Sequence, residues 1–132
     1  MKQIFAKYQD WEDYKAGMYS TDYKNEEILV SDSIKMLSNT DLFFHTCIDL
    51  IQDWTVSASV NLTNKSCNRK AWLGQAACCY AYNVPEICTR IAWGKLSNEQ
   101  QIDANIIADK VIRIYENQNR RLYSNMGETL LF

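Results

Sequence analysis

From Ser66 to Leu96 the sequence reads SCNRKAWLGQAACCYAYNVPEICTRIAWGKL, the least polar and most particular stretch of the chain. At 100° per residue, Asn68 to Tyr82 place Trp72, Leu73, Ala76, Cys79 and Tyr80 on a bulky side, with Ala71, Gly74, Cys78 and Ala81 opposite. A helix that is apolar on both sides has to be surrounded, and a small-residue side lets a second backbone come close. The expected hub is therefore a buried helix at about 68–82.

The rest of the chain is expected to supply the surround. With four Gly and one Pro in 132 residues, and 47% hydrophobic residues, disorder and loop-rich folds are disfavoured. The expected architecture is all-α: one domain over 1–132, a bundle of five or six helices, with 124–132 a candidate flexible apolar tail.

Phe5, Tyr8, Trp11, Tyr14 or Lys15, and Met18 recur at helical steps, which predicts an amphipathic helix ending near Gly17. A second helix is expected near 25–38, opened by Glu26 and Glu27, with Leu29 or Val30, Ile34 and Leu37 inward. Ser38 to Asp41 breaks it and caps a third, whose apolar face runs through Phe43, Phe44, Cys47, Ile48, Ile51 and Trp54. Between Thr55 and Thr63 the residues alternate strictly and read as a strand by period, yet no second strand exists to pair with it. A helix or loop is preferred there over an edge for another chain.

After the hub, Asn83-Val84-Pro85-Glu86 is expected to cap a short helix with Ile87, Cys88 and Ile91 inward and Glu86, Arg90 and Trp93 on the other side. Gly94 closes it. Ser97 to Gln100 forms a capping box for the longest helix, whose expected apolar face is Ile102, Ile106, Ile107, Val111, Ile114, Tyr115 and Leu122, with Asp109 and Arg113 pairing one turn apart.

Five Cys is an odd number, and the N-terminal residues hold no apolar run of signal-peptide length, so a reducing, cytoplasmic setting is expected. The two sequons at Asn61 and Asn64 are then chance matches. The longest nearly apolar run, 42–51, is about half a membrane span, so no membrane association is expected. A net charge of -2 makes nucleic acid an unlikely partner. Residues 1–60 hold ten acids and five bases, and 61–132 six acids and nine bases, which is most simply read as two halves packing together.

No metal site or cofactor is expected. Cys78 and Cys79 point about 100° apart on a helix, no CxxC occurs, and Cys79 with Cys88 makes two ligands of a required four. His45 and Cys47 point in opposite directions, and nothing places a nucleophile beside the single His. Catalytic residues are none, and an enzyme ranks third.

Asn68-Arg69-Lys70 is the stronger signal. Two cations at a helix N-terminus oppose the macrodipole and need a negative partner, from the acidic N-terminal half or from an outside ligand. Candidate anion-binding residues are Asn68, Arg69, Lys70, Gln75 and Arg90. Candidate partner-interface residues are Trp11, Tyr14, Trp93, Leu130, Leu131 and Phe132.

NRKAWLGQAACC, PEICTRIAW and QQIDANIIADKVI together resemble small helical proteins of unknown function found in phages and other mobile elements, over residues 61–117. The resemblance implies a small intracellular factor acting on a host macromolecule, for example an inhibitor of a defence system, and carries no catalytic residues. The first expectation for function is a non-enzymatic module binding a protein partner or its own copy as a homo-oligomer. The alternative is a binder of a small anionic ligand, nucleotide or phosphate, or of a nucleic-acid backbone at the Asn68 helix start.

Overall fold

A computed structural model describes residues 25–66 and 68–130, with side chains through residue 119. The expected helix bearing Trp11 and Tyr14 lies outside the described residues, as do Cys67, Leu131 and Phe132. The fold is an all-α bundle. Among the described residues six helices follow one another: α1 Glu26–Ser38, α2 Thr40–Asp53, α3 Thr55–Thr63, α4 Arg69–Tyr82, α5 Glu86–Lys95 and α6 Asn98–Leu130. Residues 124–130, expected as a tail, continue α6.

The polar residues between helices do the capping. Asn25 Oδ1 accepts from the Ile28 N–H at 2.9 Å and opens α1, and Asn39 Oδ1 accepts from Leu42 at 3.0 Å and opens α2. At α6 the capping box forms in both directions: Ser97 N–H donates to Gln100 Oε1 at 2.9 Å, and Gln100 N–H donates to Ser97 Oγ at 3.1 Å. Asn83 does something other than expected. It ends α4 in the left-handed region, φ 58°, its N–H bonded to Cys79 O at 2.9 Å, and Pro85 takes the N-cap position of α5. Asn tolerates that backbone better than most residues, so it serves α4 rather than α5.

The alternating segment 55–63 is helical. Trp54 alone interrupts the path from α2, and hydrogen bonds run through it, from its N–H to Leu50 O and from the Ala58 N–H to its own carbonyl. Only Ala58 and Leu62, one turn apart, face inward; Val56 and Val60 are 79% and 62% exposed. Alternation misleads here because half of its apolar residues are on the surface, and a chain without a strand partner satisfies its backbone internally.

α4 is the hub. It packs against all five other described helices. Leu73, Gly74, Ala76, Ala77, Cys78 and Cys79 are buried along it, in a core whose largest members include Met36, Leu37, Phe43, Leu50, Leu62, Val84 and Val111. Trp72 and Tyr80, placed on the bulky side, are only partly buried; Tyr80 lies edge-on to Trp54 at 5.3 Å and donates its hydroxyl proton to Asp53. Burial, that bond and the charges of Asp53 and Asp49 push the phenol up to about 12.

Two faces are rotated from expectation. On α5, Cys88 points inward as expected, but Ile87 is 60% exposed and Thr89 and Ala92 are the other buried residues. On α6, Val111 and Tyr115 face inward as expected, but Ile102 and Ile106 are more than half exposed and the inward row is completed by Ala104, Ala108 and Ile112. That row keeps helical spacing but consists of smaller residues at its start. The rotation is held by polar links to α3 and α4, including Tyr115 Oη to Ser59 Oγ at 2.9 Å. Asp109, expected to pair with Arg113, reaches Lys70 instead.

Candidate functional site

Asn68 caps α4, its Oδ1 accepting from the Ala71 N–H at 3.1 Å, so the next two residues start a helix exactly where their positive charge is least welcome. Both find partners inside the chain. Arg69 donates to Glu116 Oε2 at 2.9 Å and to the Leu62 carbonyl at 3.2 Å, which ties the end of α3 to α6. Lys70 Nζ lies 3.2 Å from Asp109 Oδ2. Asp109 and Glu116 are seven apart on α6 and so share a face toward α4. The counter-charges thus come from the C-terminal helix, not from the acidic N-terminal half. The described ion pairs, Glu86–Arg90 at 3.2 Å included, all join residues of the second half.

These neighbours differ in direction. Lys70 lines a cleft of about 700 Å³ between α4, α5 and α6, together with Asn68, Gln75, Arg90 and Trp93. Leu37 from α1 and Phe43 from α2 also line it, as do Ala104 and Ala108 from α6. Four of the five candidate anion-binding residues are therefore brought together. Arg69 is not among them; it is committed to Glu116 and Leu62. Trp93, expected at a partner interface, lines this cleft and is half-buried. Leu130 lies at the end of α6, and its side chain is outside the described ones.

The small side of α4 explains the space. A Cβ built on Gly74 would meet only the Leu37 Cδ2 methyl, at 3.5 Å, an ordinary contact. No backbone comes close there, contrary to the expectation for that face. Glycine inside a helix costs about 1 kcal/mol relative to alanine. At position 74 this cost leaves a cavity open rather than admitting a neighbouring helix.

The charges are arranged asymmetrically about the cleft. Lys70 and Arg90 line it, whereas their partners Asp109 and Glu86 do not. Both pairs are partly solvated, and such pairs are worth roughly 0–1 kcal/mol, so an incoming anion can compete for the cations at little cost. Asn105 completes the polar lining and was not anticipated, while Thr89 borders the cleft with its hydroxyl buried. Asn105 falls between two exposed isoleucines, and only the inward Ala104 and Ala108 reveal which way that turn of α6 faces.

The four described cysteines are packing. Cys47, Cys78, Cys79 and Cys88 are free and buried. Burial pushes the Cys78 thiol up to about 11, with the Ser33 and Thr89 hydroxyls pulling the other way. Those two buried hydroxyls have no ordinary hydrogen-bond partner and face this sulfur. Burial, and then Cys78, raise Cys47 and Cys79 further, while Cys88 is raised by burial and then by Glu26. Thiols so shifted stay protonated and are poor nucleophiles and poor metal ligands. Among the described residues no three His, Cys, Asp or Glu side chains gather as a metal site, and His45 is exposed, edge-on to Phe44. No described helix is long and apolar enough to cross a membrane.

No protein-family model matches the sequence, and no curated protein and no solved structure is found to be similar to it.

Proposed function

We propose that this chain binds a small anionic ligand in the cleft between α4, α5 and α6, holding it without transforming it. The observation that carries this reading is the convergence of Lys70, Arg90, Asn68, Gln75 and Trp93 on one cavity, with both counter-ions outside it. The volume lies within the range typical of ligand sites, with apolar walls and a few polar groups that fix orientation. No carboxylate, imidazole or thiol lines the cleft, so the lining supplies hydrogen bonds and positive charge but no general base of ordinary pKa. The free thiols favour the cytoplasm as the setting.

The test is thermal unfolding with inorganic phosphate and with citrate. At 100 times Kd a ligand adds about 2.7 kcal/mol, which for a domain of this size raises Tm by roughly 8 °C. Lys70→Ala and Arg90→Ala should each remove most of that rise. Arg69→Ala should lower the starting Tm and leave the anion-induced rise intact, because Arg69 faces Glu116. Loss of the rise in Arg69→Ala alone, or no rise in wild type with these anions or with any other phosphate compound, would defeat the proposal.

A second reading rests on the outward apolar pairs Val56 and Val60 of α3 and Ile102 and Ile106 of α6, each one turn apart. Through them the chain would bind a protein partner or its own copy, and a mobile-element factor aimed at a host system would act in this way. Light scattering across a concentration series separates the readings. A dimer that Val60→Glu or Ile106→Glu converts to monomer supports the second, and a monomer throughout removes self-association.

A further inference from the structure

The order of groups along the cleft specifies more than an anion. Lys70 is tied to Asp109, whereas the Trp93 carbonyl accepts from Gln101 Nε2 at 2.8 Å, eight positions earlier on the same helix. At 1.5 Å per residue the two attachments are about 12 Å apart along α6. The cleft therefore has two different ends. Toward one lies Trp93, whose carbonyl is held at Gln101, with Arg90 three residues away on α5, and both line the cleft. At the other is the Lys70 ammonium with the Asn68 amide. Asn105 is four residues from both Gln101 and Asp109, so it falls midway along this stretch of α6, and Gln75, five residues beyond Lys70 on α4, also lines the cleft.

Resting on the anion-binding reading above, we infer that the ligand is a nucleoside di- or triphosphate, with its base against Trp93 and Arg90, its ribose beside Asn105 and Gln75, and its phosphates at Lys70. The chemistry matches zone by zone. An indole face and a guanidinium plane stack on a heteroaromatic ring. Side-chain amides both donate to and accept from sugar hydroxyls. An ammonium is a point charge suited to a phosphate oxygen. An inorganic anion would use one end and leave the indole and the amides without a role.

Asp109 makes the idea sharply testable. It stands beside Lys70 without lining the cleft, so it competes with a phosphate for the ammonium and repels it. Asp109→Asn should therefore strengthen binding, a gain that damage to the fold does not produce.

Titration calorimetry at one fixed salt concentration would use ATP, GTP, CTP and UTP, the four nucleosides, and tripolyphosphate, on wild type and on Lys70→Gln, Trp93→Leu and Asp109→Asn, each checked for a retained melting transition. At least one nucleotide should bind about tenfold or more tighter than both its nucleoside and tripolyphosphate, the equivalent of one charge-assisted hydrogen bond. Lys70→Gln should cost the nucleotide about tenfold and leave the nucleoside unchanged, and Trp93→Leu should reduce the nucleotide to the level of tripolyphosphate. Tripolyphosphate binding as tightly as every nucleotide would overturn this inference and leave the anion-binding reading standing. Absence of binding by any phosphate compound would overturn both. Weaker nucleotide binding in Asp109→Asn would overturn the placement of the phosphates.

Discussion

Gly74→Leu should leave the protein folded, with a melting midpoint at or above that of wild type, and weaken ligand binding roughly 10- to 100-fold, as expected when an inserted side chain forces about 1–3 kcal/mol of overlap on the bound molecule. The reasoning is local. Leucine is favoured over glycine in a helix by nearly 1 kcal/mol, and the first carbon added at position 74 meets only the Leu37 methyl, at contact distance. The remaining atoms extend into the cleft. Gly74→Ala is the control: one methyl group, about 0.5–1 kcal/mol of added stability, and little change in binding. Calorimetry with whichever anion raises the wild-type midpoint, alongside urea unfolding, reads both effects. Unchanged affinity in Gly74→Leu would place the ligand elsewhere, and a large fall in stability would show that the space at position 74 is needed for packing.

Leu73→Ala, one residue away, should behave in the opposite manner and lower unfolding stability by about 3 kcal/mol. Leu73 is fully buried on the helix that touches every other described helix. A void left there is bordered by several elements at once and cannot be closed by the shift of one neighbour. Since domains of this size hold roughly 5–15 kcal/mol in total, the variant should lose a large fraction of its stability. Val56→Ala, at a 79% exposed site, should change it by less than about 0.5 kcal/mol. Chemical denaturation of both variants checks the pair. A cost below about 1 kcal/mol at Leu73, or equal costs at the two sites, would contradict the role given to α4.

The contrast between neighbouring positions shows which properties were legible early. That α4 is surrounded follows from a stretch without a polar face, and its start follows from Asn68, whose amide caps it as such residues do. The capping box at Ser97 and Gln100 is equally local, since all its atoms lie within one turn. The small row on α4 was legible as small but not as empty. Whether a gap beside Gly74 is filled by a helix or left as a cleft depends on the direction of α5 and α6, which no residue within one turn of Gly74 determines.

Periodicity fared worse where large residues face outward. Ile102 and Ile106 dominate the apolar pattern of α6, yet Ala104 and Ala108 are the buried ones. A hydrophobic stripe is weighted by side-chain size, whereas the face that packs against a neighbour, or borders a cleft, can favour small residues. The alternation in α3 misled for a related reason, since Val56 and Val60 contribute to the pattern and nothing to the core.

By itself, the sequence determined the all-α character, the position and burial of the hub, and the local excess of positive charge at Arg69 and Lys70, because each is set by residues within a turn or two of one another. Tertiary structure alone decided how that charge is divided. Arg69 turns toward Glu116 and the Leu62 carbonyl and becomes part of the scaffold, while Lys70, pointing 100° away on the same helix, meets Asp109 at the edge of the cleft. The physical reason is that a helix separates adjacent residues by direction, and only the placement of α3, α5 and α6 around α4 makes one direction a partly buried seam and the other an open site.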